Sequence, residues 1–182
     1  MQTLISFLRG INMAGHNPIK MNDLSNLYKD LGFSDVETYI QSGNVVFWSG
    51  YNEPVSVISQ RIEKAILQKF SFNIPVMIRT VPEIKELSSS NYFLSEENFN
   101  PAKMAVVFLR QKCNKSQIHK VADINYPPDR FFISGSEIYI YCPDGFGKTK
   151  LYTNFFEKKM GVIGTGRNWK TITTLLDIAE KR

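Results

Sequence analysis

Leu4-Ile5-Ser6-Phe7-Leu8-Arg9 and, much later in the chain, Met104-Ala105-Val106-Val107-Phe108-Leu109-Arg110 are two apolar runs that close on the same Phe-Leu-Arg. Each has the length of a buried strand and is too short for an ordinary helix. Each is followed by a helix-like stretch and then by two β-rich runs that meet at Ser-Gly, Ser42-Gly43 in one place and Ser134-Gly135 in the other. The chain therefore reads as one small α+β unit written twice.

Working outward from the first run, residues 10–20 are loop-like, with Gly10, Gly15, Asn17 and Pro18 as breakers. Asn22 is placed to cap a helix whose apolar face is Leu24, Leu27, Tyr28 and Leu31, at i, i+3, i+4 and i+7. Gly32 ends that helix as a C′ glycine. Val36–Ile40 and Val45–Trp48 form a hairpin across a polar Gln-Ser-Gly-Asn turn, Ile58, Ile62, Ala65, Ile66 and Phe70 a second helical stripe, and Pro75–Thr80 the closing strand. The second half repeats the order: a strand at Ala105–Leu109, a short helix capped near Asn114 or Ser116, a hairpin of Phe131–Ile133 and Ile138–Tyr141, and a helix with Leu151, Phe155 and Met160 on its core face. Its fourth strand is poorly marked, with Val162-Ile163 the one candidate, and a last helix carries Ile172, Leu175, Leu176 and Ala179 on one stripe. The expected fold is α+β, with duplicated ferredoxin-like (βαββαβ) units and antiparallel sheets. Residues 1–80 are the first half, 81–102 a connection that can hold a short helix opened by Pro82, and 103–182 the second half with its C-terminal helix.

Composition narrows the function classes. An apolar content of 43% and a charged content of 21% over 182 residues are those of a globular protein. No run reaches the ~18 apolar residues of a membrane helix, so no membrane partner is expected. The start MQTLISFLRGIN has no basic stretch ahead of its apolar residues and does not read as a signal peptide. Cys113 and Cys142 have no CxxC spacing and make no disulfide framework, so a reducing cytoplasm is the expected compartment. With His16 and His119 the only histidines and no Cys/His cluster, neither a metal nor a cofactor is expected. The net charge of +5 is uneven: residues 1–102 hold 8 Lys/Arg against 10 Asp/Glu, and residues 103–182 hold 14 against 7. The basic excess lies wholly in the second half, which suits a phosphate-bearing or otherwise acidic partner.

Glycine-rich turns ahead of helices are the candidate sites, because a helix N-terminus exposes unpaired amides and a partial positive charge. Gly145-Phe146-Gly147-Lys148-Thr149-Lys150 contains the Gly-Lys-Thr end of a P-loop, but Cys142 stands where the first P-loop glycine would be, which disfavours a nucleoside-triphosphatase. Gly164-Thr165-Gly166-Arg167-Asn168-Trp169 is a second such turn, with Arg167 as a fork-shaped donor and Asn168 or Thr171 as a cap. The loop from Arg9 to Lys20 is a third. The expected anion-binding residues are Arg9, Lys20, Gly147, Lys148, Thr149, Arg167 and Asn168, and no residue stands out as catalytic.

Leu8-Arg9-Gly10-Ile11-Asn12, Gly15-His16-Asn17, Lys20-Met21, Leu31-Gly32-Phe33 and Thr38-Tyr39-Ile40-Gln41-Ser42-Gly43-Asn44-Val45-Val46-Phe47 together resemble the bacterial domain-of-unknown-function 1697 family. So do Gly147-Lys148-Thr149-Lys150-Leu151, Phe156-Glu157-Lys158-Lys159 with Gly161, and Thr165 with Arg167-Asn168-Trp169 and Thr171. Met13-Ala14 departs from the family's usual Val-Gly, and Thr149 from its usual Ser. The resemblance implies a bacterial cytosolic protein of two ferredoxin-like halves. It transfers no catalytic residue, and its shared motifs include the three turns chosen above.

Three functions fit this reading. The first is a binding protein for a phosphorylated small molecule or nucleic acid. The second is a small-molecule enzyme with a site between the halves, and the third a non-catalytic protein-interaction module. Oligomeric state is left open by the sequence.

Overall fold

The computed structural model describes residues 1–182. The first half of the chain runs β1 (Gln2–Leu8), α1 (Met21–Asp30), β2 (Ser34–Tyr39), β3 (Asn44–Ser49), α2 (Val55–Phe70), β4 (Val76–Thr80) and α3 (Val81–Ser89). The second runs β5 (Met104–Leu109), α4 (Lys115–His119), β6 (Arg130–Ser134), β7 (Glu137–Tyr141), α5 (Thr153–Met160), β8 (Gly164–Asn168) and α6 (Trp169–Glu180). Residues 81–102 hold α3 and a short 3-10 turn at Tyr92–Ser95. The sheets are four-stranded and antiparallel, ordered β2-β3-β1-β4 and β6-β7-β5-β8. The chain divides into two compact units, Met1–Lys85 with Thr174–Arg182, and Glu86–Thr173.

In the first unit Leu4, Leu8, Val45, Phe47, Val76 and Ile78 point from the sheet into a core completed by Leu24, Leu27 and Tyr28 of α1 and Ile58, Ile62 and Ile66 of α2. Tyr28 is fully buried yet satisfied, its hydroxyl 2.8 Å from the Ser6 hydroxyl. The end of α1 is set as the sequence indicated. Gly32 takes φ +84, its amide donates to Lys29 and the Phe33 amide to Tyr28, which is the Schellman arrangement. Its start is not: α1 begins at Met21 after Lys20, and Asn22 lies inside the helix, where its side chain can no longer receive a first-turn amide. In the second unit Val107, Leu109, Ile138 and Ile140 face Val121 and, on α5, Phe156 and Met160.

The halves are similar at several backbone and side-chain positions. The amides of Leu8 and Leu109 donate to the carbonyls of Gly43 and Ser136, and those of Arg9 and Arg110 to Pro75 and Ile163. Glu63 on α2 accepts the Val76 amide at the start of β4, and Glu157 on α5 accepts the Gly164 amide at the start of β8. Arg79 opposite Ile5 and Arg167 opposite Val106 are both buried, and each Nη1 donates to the carbonyl of the preceding residue. Thr80 caps α3 in a reciprocal pairing with Glu83, and Asn168 caps α6. The Ser-Gly turns fall one place out of step. By these bonds Gly43 corresponds to Ser136, because the first hairpin turns through residues 40–43 and the second through Gly135 and Ser136 alone.

The fourth strand of the second half is Gly164–Asn168, not Val162-Ile163, and the expected glycine turn is therefore a strand. Two glycines lower β propensity, but the neighbouring strand requires one of them. A β-carbon on Gly164 would lie 2.9 Å from both Leu109 Cδ2 and Val107 Cγ1 and 3.0 Å from the Phe108 carbonyl oxygen. Gly164→Ala should therefore destabilise the protein by about 1–3 kcal/mol through overpacking, read as a lower urea midpoint. Gly147→Ala, with nothing within 4 Å of an added β-carbon, should leave the midpoint nearly unchanged.

Candidate functional site

The sequence places three polar loops in play, and the structure gives them different tasks. In the Arg9–Lys20 loop the Asn12 side chain donates to the carbonyls of Ile19 and Gln41 and accepts the Ile19 amide, while Asn17 donates to Gly10. These bonds hold the loop in shape and explain its asparagines. Arg9 is half-buried after β1, and Lys20 is an exposed residue just before α1. Both belong to the first unit, and the other five expected residues to the second.

Arg167 sits on β8 with 8% of its surface exposed. Its Nη1 donates to Thr165 Oγ1 and to the Gly166 carbonyl, both at 2.8 Å. Burial pulls the guanidinium down to about 10, which leaves it charged at neutral pH. Asn168 accepts the Thr171 amide at 2.8 Å and so occupies its side-chain oxygen in capping α6. Gly147-Lys148-Thr149 does not open a helix: α5 starts at Thr153, and the intervening residues are extended or bent. Thr149 is buried, accepts the Leu151 amide at 3.0 Å, and also bonds the Cys142 thiol, which burial pushes up to about 11.

What the structure does bring together is a cleft of about 300 Å³ in the second unit, between the turn at Asn125–Asp129 and the loop from Asp144 to Lys150. Asp144, Lys148 and Lys150 line it from the loop, and Tyr126 and Asp129 from the turn. The Lys150 ammonium lies 5.2 Å from the centre of the Tyr126 ring, whose edge packs on Phe155 at 5.9 Å. The Asp129 amide donates to the Tyr126 carbonyl and closes the turn. Gly145 has φ +93, and a β-carbon there would meet Lys103 Nζ at 3.3 Å, so a third ammonium stands beside the loop. Lys148 and Lys150 were visible in the sequence. Lys103, Tyr126 and Asp129 were not, since they come from separate segments that only the fold joins, and Asp144 adjoins the motif in sequence.

The other surfaces offer less to an acidic partner. Tyr139 and Tyr141, which alternate along β7 as stacking aromatics of an RNA-binding sheet would, are buried. Phe132 stacks on Tyr139 at 4.4 Å, Phe93 and Phe99 cover Tyr141, and burial pushes the Tyr139 phenol up. Lys158 and Lys159 lie in the last turn of α5, about 8–9 Å along its axis from the end nearer Lys148 and Lys150. No group of three or more His, Cys, Asp or Glu side chains is placed to hold a metal ion. No helix is long and apolar enough to cross a membrane.

The profile of a family described as "Protein of unknown function (DUF1697)" matches residues 1–139, and the chain belongs to that family. No curated protein matches it. Among solved structures it is similar to the conserved bacterial protein SP0830 from Streptococcus pneumoniae, with 20% identity and a TM-score of 0.76 over 97% of this chain and 98% of that one. That likeness concerns the fold alone.

The geometry separates capping from ligand contact. Asn168→Ala should cost about 1 kcal/mol of stability in urea unfolding. Asn168→Asp, which keeps the acceptor, should recover most of it.

Proposed function

We propose that this chain is a binding protein whose second unit takes a phosphorylated small molecule in the cleft of Lys148 and Lys150. The observation that carries this reading is that Lys148 and Lys150 line one concave site that also offers a half-buried tyrosine ring and two carboxylate residues. The lysines suit a phosphate. Asp129 and Asp144 would repel a bare polyanion and accept hydrogen bonds from hydroxyl or amine groups elsewhere on the ligand. A small molecule carrying both kinds of group fits better than a nucleic-acid backbone, for which the cleft is narrow and the sheet aromatics are covered.

We further propose that each half is a ferredoxin-like unit and that the chain arose by duplication of one. The paired bonds of Glu63 and Glu157, and the shared placement of Arg79 and Arg167, support this reading. A cytoplasmic setting is in keeping with the two buried free thiols, Cys113 and Cys142.

Titration with AMP and with inorganic phosphate, followed by amide shifts and calorimetry, tests the site. Shifts are expected at Gly145–Lys150 and Tyr126, with AMP the tighter of the two. Lys148→Ala and Lys150→Ala should each weaken AMP by about tenfold or more, while Arg167→Met should leave that affinity in place. Unchanged affinity in both lysine variants would defeat the reading. Tighter binding of single-stranded RNA, with a steep salt dependence, would move it to nucleic acid.

A further inference from the structure

β6 is an edge strand, paired with β7 alone. The hairpin between them has a two-residue loop, so Ser134 and Glu137 form the hydrogen-bonded pair that closes it. Bonded pairs then alternate along the ladder, which makes Phe132 with Tyr139 and Arg130 with Tyr141 the next two. The amides and carbonyls of Phe131 and Ile133 therefore point away from the sheet, and no other group of the protein takes them.

A groove of about 340 Å³ runs along this edge. Ile118, Val121 and Ile124, from α4 and the chain after it, form one wall, and Tyr92 and Phe132 the other. Ile118 and Tyr92 are exposed, at 37% and 49%. One end is rigid: Arg130 is held by Glu96 through two bonds of 2.8 and 2.6 Å and lies over the Phe93 ring at 5.1 Å.

The other half shows what a guarded edge looks like in the same fold. β2 occupies the corresponding place in its sheet. It carries Asp35 at φ +49, a register shift between Ser34 and Glu37, and an ion pair from Glu37 to Arg182. Bulges and charges of this kind keep an edge from pairing with foreign strands. β6 has no bulge, and its one ion pair, Arg130 with Glu96, sits at the end of the strand: its register is regular and its middle is Phe131-Phe132-Ile133.

We propose that the free edge of β6 and its groove bind an extended peptide segment of another protein by strand addition. The backbone groups of Phe131 and Ile133 supply the pairing, and alternate side chains of the peptide enter the two walls. Arg130 is taken up by Glu96, and the remaining charges on and around α4 are Lys112, Lys115 and Lys120 against Asp123, with Asp129 at the other end of the groove. The peptide that fits is therefore apolar at alternate positions and acidic at its flanks.

The test uses the full chain and a fluorescein-labelled peptide, Glu-Glu-Val-Thr-Val-Thr-Ile-Thr-Glu-Glu, in fluorescence anisotropy with amide-shift mapping. Saturable binding with shifts along residues 118–134 is expected. Ile133→Pro removes an outward amide without touching the ladder to β7 and should weaken binding at least tenfold, whereas Ile133→Val should not. Should Ile133→Pro fail to fold, the wild-type chain with the same peptide N-methylated at alternate residues gives the answer. Methylation in one phase should abolish binding, and in the other phase leave it. No binding at millimolar peptide, equal binding by Ile133→Pro, or equal effects of both methylation phases would overturn the proposal. So would a dimer that Ile133→Pro dissolves and the peptide does not, since the edge would then belong to a second copy.

Discussion

The tight seating of β8 against β5 is the constraint on which the second unit depends. β5 is a central strand, so its far side must be paired, and the segment available for this is Gly164–Asn168. Val107, Leu109 and the Phe108 carbonyl leave no space for a β-carbon at Gly164, and Gly166 lies against Thr153 at the start of α5. Glycine there is a packing requirement, and its weak strand propensity is overridden by the pairing that β5 offers and by the Glu157 carboxylate that takes the first amide. Register does the rest. Opposite Val106, Arg167 must turn to the face away from α4 and α5, and Asn168 arrives where α6 needs its cap.

This assignment redistributes the charge that sequence alone suggested was one site. Arg167 is committed to the strand, Asn168 to a helix end and Thr149 to the Leu151 amide and the Cys142 thiol. Lys148 and Lys150 are left facing solvent on a loop, and the turn at Tyr126–Asp129 gives that loop an opposing wall. The cleft is consequently mixed in sign, a property that suits a ligand with both phosphate and donor groups.

Much of the fold was legible because its signals are local. The Phe-Leu-Arg repeat, the stripe from Leu24 to Leu31, the Gly32 stop and both hairpins depend on residues a few positions apart, and two similar halves with antiparallel sheets follow from them. The resemblance to the family was likewise carried by short motifs. What escaped depends on distant partners. β8 is a strand only because β5 lies beside it, and the Asn22 cap failed because the chain enters α1 two residues earlier. The site divided the same way. Lys148 and Lys150 could be read from a turn motif, whereas Lys103, Tyr126 and Asp129 reach the loop through tertiary structure. The burial of Arg167 could not be read, because a buried arginine and an exposed one have the same local sequence.

The most direct measurement is amide hydrogen exchange at Gly164–Asn168, with and without AMP. A strand seated on β5 predicts slow exchange at the amides that enter the ladder, comparable to that of β5 itself and unmoved by AMP, while the amides of Gly145–Lys150 respond. Fast exchange across Gly164–Asn168, with protection gained only when AMP is added, would contradict the account and return these residues to the role of an anion-binding turn.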